Sequence, residues 1–297
     1  MSTGASAVET SGSTGIIIGV IFGVIIVLVL ALVILYRRRH KMIVVTPAVA
    51  PNKPPLTFSE EARIADISDE PLGVMGPIQG VMRCMRLSLM DAAAASGVED
   101  IDGHAFMASE AGAQLAAADP HGLDADEVGA LWLFTAESDF YPTLNRLLRK
   151  RDRSALKAFY PYLQLMLTAR SKLPKYTGSV WRGVKGIDLR AKYPKDKDVW
   201  WWAFSSTTKQ LETLTNPQFL GNSGVRTVFL IEILHGVDLQ RYSAVASEAE
   251  VLLYPGTKLK VVGSMDMGGG LFQVHLREVP LANAFFFGRQ DEVNPIQ

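Results

Sequence analysis

The feature that most constrains this chain is an uninterrupted apolar run from Gly15 to Tyr36, GIIIGVIFGVIIVLVLALVILY, with neither charge nor proline. As a helix, the stretch from Ile16 to Leu35 would be about 30 Å long, the thickness of a bilayer core, so the sequence predicts a transmembrane helix over 15–36. The preceding segment, MSTGASAVETSGST, has no basic residue, and the run is longer than the apolar part of a signal peptide. Arg37, Arg38, Arg39 and Lys41 follow at once. By the positive-inside rule they belong on the cytoplasmic side. The expected molecule is a single-pass membrane protein with a short extramembrane N-terminus, 1–14, and its bulk in the cytoplasm.

The rest of the chain is long enough for one large domain or two small ones. At 48% hydrophobic and 20% charged, it has the composition of an ordinary folded protein. The net charge of zero argues against a nucleic-acid partner, which would call for a basic excess. Glu9 and the four basic residues at 37–41 leave residues 42–297 at −3, and an acidic domain beside a basic collar suits an anionic inner leaflet. Cys84 is the sole cysteine, which rules out an internal disulfide and fits a reducing compartment. His40, His104, His121, His235 and His275 show no metal-ligand spacing, and no metal is expected.

Residues 37–57 combine the basic collar with Pro47, Pro51, Pro54 and Pro55 and read as a stiff linker. From about Phe58 the pattern turns helical. Ile78, Val81, Met82, Met85 and Leu89 recur at three- and four-residue spacing before a stop at Gly97, predicting a helix over 78–95. Further helices are predicted over 124–136, 141–150 and 154–173. After Pro174 come β-branched and aromatic runs at 179–184, 199–206, 227–234, 249–253, 258–262 and 271–276, separated by Gly, Pro and Asn turns. Helices first and strands later indicate an α+β domain over 58–287, mainly helical to 175 and mainly strands beyond, with 288–297 as a tail. Gly268, Gly269 and Gly270 read as a hairpin loop, and Trp200, Trp201 and Trp202 as residues packing both faces of a strand.

Three places in the strand half join polar residues to a strand. Arg182 stands in an apolar strand beside Gly183, and its fork of donors suits a phosphate or carboxylate; an ion pair with a glutamate is the structural alternative. Ser205, Ser206, Thr207 and Thr208 follow an aromatic run, as turn caps or as ligands. Glu248 and Glu250 precede the apolar run Val251 to Leu253. If Glu248 is already extended, both carboxylates leave the same face of the strand; otherwise they are solvated loop acids.

Together these elements, VWRGV at 180–184, FSSTT at 204–208 and SEAEVLLYPG at 247–256, resemble the arginine-specific mono-ADP-ribosyltransferases. The signature of that family is an Arg, then a Ser in a Ser-Thr-Ser-like strand, then Glu-x-Glu. YPTLNRLLR, LKAFYPYLQLMLTAR, PQFLG, RTVFLIEI and GVDLQRYS extend the resemblance, so that it covers roughly 120–280. The SSTT form departs mildly from Ser-Thr-Ser.

The resemblance implies a split pair of small β-sheets with NAD bound between them, helices packed on the N-terminal side, and transfer of ADP-ribose from NAD to arginine side chains of an acceptor protein. It implies catalytic roles for Glu250, Glu248, Ser206 and Arg182. NAD contacts would come from Arg182, Gly183, Ser206 or its register alternative Ser205, and Phe219, an aromatic for the nicotinamide or a plain core residue. Two other readings stay open: an NAD glycohydrolase with water as acceptor, and a membrane-tethered module that binds NAD or a partner without turnover.

Overall fold

The computed structural model describes residues 70–280 except 72 and 216–218. The expected transmembrane helix, basic collar, proline-rich linker and tail lie outside the described residues. Among the described residues no helix is long and apolar enough to cross a membrane.

Among the described residues five α-helices come first: α1 (Leu89–Ala95), α2 (Ile101–Ala116), α3 (Ala125–Thr135), α4 (Phe140–Leu148) and α5 (Tyr160–Lys172). α3 starts where the sequence predicts, because Asp124 accepts from the Glu127 backbone N–H while the Glu127 side chain accepts from that of Asp124, a capping box. Glu127 is fully buried but not left as a lone charge, since Lys172 of α5 reaches it at 2.7 Å. α2 and α3 pack antiparallel at very short range. A Cβ on Gly112 would lie 2.2 Å from the Ala125 carbonyl oxygen, and one on Gly129 would lie 2.8 Å from that of Ala108, so the two glycines set how closely the helices approach.

The predicted helix over 78–95 is interrupted. It becomes a 3-10 turn at Val81–Arg83 and then α1, which starts at the Ser88 N-cap. The carbonyls of Met82 in the turn and of Cys84 just after it are bonded by the amide of Gln164 from α5, so the segment needs no helical ladder to satisfy them. α2 has no counterpart among the helices predicted from the sequence. Its buried face is small, Ala105, Ala108 and Gly112 beside Ile101, which leaves little apolar periodicity to read.

Seven strands follow among the described residues: β1 (Lys175–Lys185), β2 (Asp198–Trp201), β3 (Ser205–Thr208), β4 (Arg226–Asp238), β5 (Glu250–Leu253), β6 (Thr257–Gly268) and β7 (Leu271–Glu278). β4 is the centre, antiparallel to β1 and parallel to β7; β7 continues to β6 through the glycine hairpin and β6 to β2. The predicted strand over 199–206 is two strands. Trp202, Ala203 and Phe204 separate β2 from β3, and all three are buried. Trp201 packs on Phe229 and donates to the Tyr193 hydroxyl, while Trp200 and Trp202 stack at 5.0 Å.

The two separate sheets expected from the resemblance are joined into one hydrogen-bonded network. The joints are short. β3 and β5 pair along their whole length, but they meet the larger sheet through Trp181 opposite Thr208 and through Val237 and Asp238 opposite Leu252 and Val251. So few pairs let β3 and β5 diverge from β1 and β4, and the divergence opens a cleft.

The helical layer fixes β3 at its entry. The buried Asn145 amide of α4 donates to the Phe204 carbonyl at 3.1 Å and accepts from the Phe204 N–H at 3.0 Å, taking the place of a neighbouring strand. Phe204 also touches Phe134 and Tyr254, with ring centroids 5.1 and 5.0 Å apart. Replacing Asn145 with alanine would strand two buried backbone groups, so it is expected to cost about 3 kcal/mol. A lowered urea midpoint with an unchanged m-value is the expected result; an unchanged midpoint would mean the amide is dispensable.

Candidate active site

β1 carries Arg182 into the cleft. An arginine in the middle of a strand needs partners for its donors, and one of them bonds the Ser206 carbonyl at 3.0 Å. The side chain therefore bridges the place where β1 parts from β3. Arg182 is 6% exposed, so its charge acts in a poorly hydrated setting, where it counts for more. Gly183 follows because the loop at Phe219 and Leu220 lies on it: an added Cβ would sit 3.0 Å from the Leu220 Cβ.

Glu248 and Glu250 reach the cleft by a route other than a shared strand face. Glu250 opens β5 opposite Thr208 and is 4% exposed. Glu248 is not extended; it ends a 3-10 turn at Ala246–Glu248, and Ala249 between the two acids is left-handed with φ 46°. For a residue with a Cβ that conformation is strained, and such strain concentrates at functional sites. It persists because the surroundings fix it. Thr208 Oγ1 donates to the Glu248 carbonyl at 2.8 Å, and the Lys209 N–H donates to the Ala249 carbonyl at 3.1 Å.

The cleft has two lobes. One, of about 450 Å³, faces the helical layer and is lined by Phe134, Thr135, Tyr141, Asn145 and Phe204. The other, of about 290 Å³, lies along β1 and β3 and is lined by Trp181, Gly183, Thr207, Thr208, Thr213, Leu214 and Phe219. Four residues line both: Arg182, Ser206, Glu248 and Glu250. One cation, one hydroxyl and two carboxylates thus form the wall that the lobes share.

The other candidates divide. Of the two serines, Ser206 faces the cleft, while Ser205 is buried and lines neither lobe. Phe219 lines the smaller lobe and also belongs to a small apolar cluster with Leu214, Leu220 and Val228, so its two readings coexist. Among the described residues no group of His, Cys, Asp and Glu is placed to hold a metal ion.

Sequence reasoning missed the helical side of the site, namely Phe134, Thr135, Tyr141 and Asn145. It also missed the ties of the loop between β4 and β5, which carries Glu248. The Tyr242 hydroxyl donates to Asp119 at 2.5 Å, and the Ala244 N–H donates to Thr135 Oγ1 at 2.8 Å. Burial pushes the Asp119 carboxyl up, but the hydrogen bonds from Tyr242 and from the backbone of Leu123 and His121, with the His121 charge, outweigh it and hold the group below its ordinary value. Burial and then the Asp119 bond push the Tyr242 phenol up, so it remains a donor at neutral pH.

The model of the family described as NAD:arginine ADP-ribosyltransferase matches residues 102–280. The chain belongs to the NAD:arginine ADP-ribosyltransferase family. The match contains both lobes and all four shared residues. Among relatives of this family, the chain is 28% identical over 166 residues to NAD(P)(+)--arginine ADP-ribosyltransferase 1 of Gallus gallus, covering 52% of this chain and 50% of the relative. It is likewise 28% identical over 169 residues to ADP-ribosyltransferase 2 of the same organism, covering 54% and 51%. The chain thus spans about half the length of the curated relatives it matches. The type III effector XopAI from Xanthomonas axonopodis pv. citri is similar in fold, with a TM-score of 0.50 at 14% identity over 75% of this chain and 96% of that one.

Proposed function

We propose that this family member transfers ADP-ribose from NAD to arginine side chains and releases nicotinamide. The observation that carries the reading is the convergence of Arg182, Ser206, Glu248 and Glu250 on the wall common to both lobes. In the reaction the bond from ribose C1′ to the nicotinamide nitrogen breaks. Its electron pair leaves with nicotinamide, and the ribose passes through an oxocarbenium-like state, as in glycoside hydrolysis. A guanidinium nitrogen then bonds to C1′ and loses a proton.

Each residue takes a role that its setting suits. Glu250, buried and anchored in the β5 ladder, supplies a fixed negative charge for the developing cation by accepting from the ribose 2′-hydroxyl. Glu248, on the loop rather than in the ladder, holds the incoming guanidinium and takes its proton; a guanidinium is too weak an acid to give that proton to water. Arg182 binds the NAD phosphates, and Ser206 supports the ribose and Glu250. The backbone of Gly183 and the ring of Phe219 receive the nicotinamide in the smaller lobe.

The test is product analysis with wild-type protein, NAD and agmatine as an arginine mimic. ADP-ribosyl-agmatine with stoichiometric nicotinamide is the expected result. Free ADP-ribose alone would make the protein a glycohydrolase, and binding of NAD without turnover would make it a binding module.

We further propose that residues 15–36 anchor the protein in a membrane with the transferase domain on the cytoplasmic side. The apolar run and the basic residues 37–41 support this. Protease added to intact cells that express the full chain should spare the domain until the membrane is permeabilised. Digestion in intact cells would overturn the orientation, and release of the protein by alkaline carbonate would overturn the anchor.

A further inference from the structure

The loop between β4 and β5 is tied on two sides. On the sheet side, Leu239 N–H bonds the Glu250 carbonyl, and Lys209 bonds Asp238 at 2.6 Å and Gln240 at 3.1 Å. On the helical side, the segment between α2 and α3 receives the loop. Arg241 donates to the Ala118 carbonyl at 2.9 Å, and Tyr242 donates to an Asp119 side chain that is 1% exposed. Asp119 is itself held rigidly, since its second oxygen accepts from the N–H groups of His121 and Leu123, each at 2.9 Å. Tyr242 is buried and packs in the helical core.

The two acids depend on these ties unequally. Glu250 sits in a paired strand and would keep its place if the helical ties were cut. Glu248 lies six residues after Tyr242 in the sequence, outside any ladder, at the end of a short turn next to a strained alanine.

We infer that the Asp119–Tyr242 hydrogen bond is a positioning contact that aims Glu248 at the acceptor and so decides how ADP-ribose divides between arginine and water. This rests on the transferase reading above. Neither Asp119 nor Tyr242 lines the cleft, so both act through the loop. Cutting the bond leaves the chemistry of Glu250 in place and loosens the carboxylate that must meet the guanidinium.

The test uses the full-length protein with NAD and agmatine, scoring ADP-ribosyl-agmatine against free ADP-ribose. Tyr242→Phe keeps the ring and deletes the bond; the ratio of transfer to hydrolysis should fall about tenfold, in line with the cost of small misplacements of a reacting group, while hydrolysis persists. Asp119→Asn keeps a polar partner, because its amide donates to the Tyr242 oxygen while its own oxygen still accepts a backbone N–H; its ratio should stay within about twofold of wild type. A general loss of stability lowers both products together and leaves the ratio unchanged, so an unchanged ratio in Tyr242→Phe overturns the inference. A fall in Asp119→Asn with no change in Tyr242→Phe would show that the charge rather than the bond matters, and overturns it too; a fall in both means that the amide does not replace the carboxylate as acceptor of the Tyr242 hydroxyl, and supports it. No ADP-ribosyl-agmatine from the wild-type protein overturns the transferase reading and this inference with it.

Discussion

Glu250→Gln is expected to lower NAD consumption about 10²–10³-fold with any acceptor, the usual loss when one preorganised group aimed at developing charge is removed. Glutamine has nearly the shape of glutamate, so the β5 ladder and the pairing with Thr208 remain. What disappears is a negative charge in a site where water is scarce. The ribose 2′-hydroxyl could still donate to the amide oxygen, but the growing positive charge on the ring would face a dipole instead of an anion. The measurement is single-turnover nicotinamide release, with NAD affinity determined in parallel. Unchanged affinity with lost turnover is the expected pair. Retained turnover would remove Glu250 from the chemistry.

Glu248→Gln is expected to have an equally large effect on one product alone. Formation of ADP-ribosyl-agmatine should drop about 10²–10³-fold, while release of free ADP-ribose persists near the wild-type rate. Water needs no anionic group to hold it, whereas a guanidinium must be gripped and must lose a proton. The split outcome depends on the backbone difference between the two acids, a strand residue and a turn residue separated by the left-handed Ala249. If both products vanish together, the acids act as one unit, and the division of roles fails.

Much of the site was legible in the sequence, because its polar residues stand in or just before strands, where their types are unusual. An arginine within VWRGV, a hydroxyl run after an aromatic stretch, and a pair of acids before VLL all violate the apolar rule of a buried strand, and each violation lies at the cleft. Strand alternation puts Ser205 and Ser206 on opposite faces, but only the structure shows that it is Ser206 that lines the cleft. The geometry between Glu248 and Glu250 was not legible, since nothing in the word Ser-Glu-Ala-Glu announces that an alanine turns left-handed. Asn145 reads as a polar residue of an amphipathic helix, and only its contact with Phe204 explains its burial. The break between residues 84 and 88 was hidden for a similar reason, since the apolar spacing runs straight through it and the carbonyls are claimed by Gln164, some 80 residues away.

The short joints that open the cleft also bear on how the molecule comes into being. Arg182 meets Ser206 across 24 positions of chain, Asn145 meets Phe204 across 59, and Tyr242 meets Asp119 across 123. Closing each of these loops costs chain entropy before any contact repays it, and such non-local pairings are slow to form. Helices, with contacts a few residues apart, carry no such delay. During synthesis the helical half leaves the ribosome before β5 exists, so no partial chain holds both carboxylates against Arg182. Any chain that stops short of β5 therefore lacks Glu250, and the site is complete only once the strand half has closed.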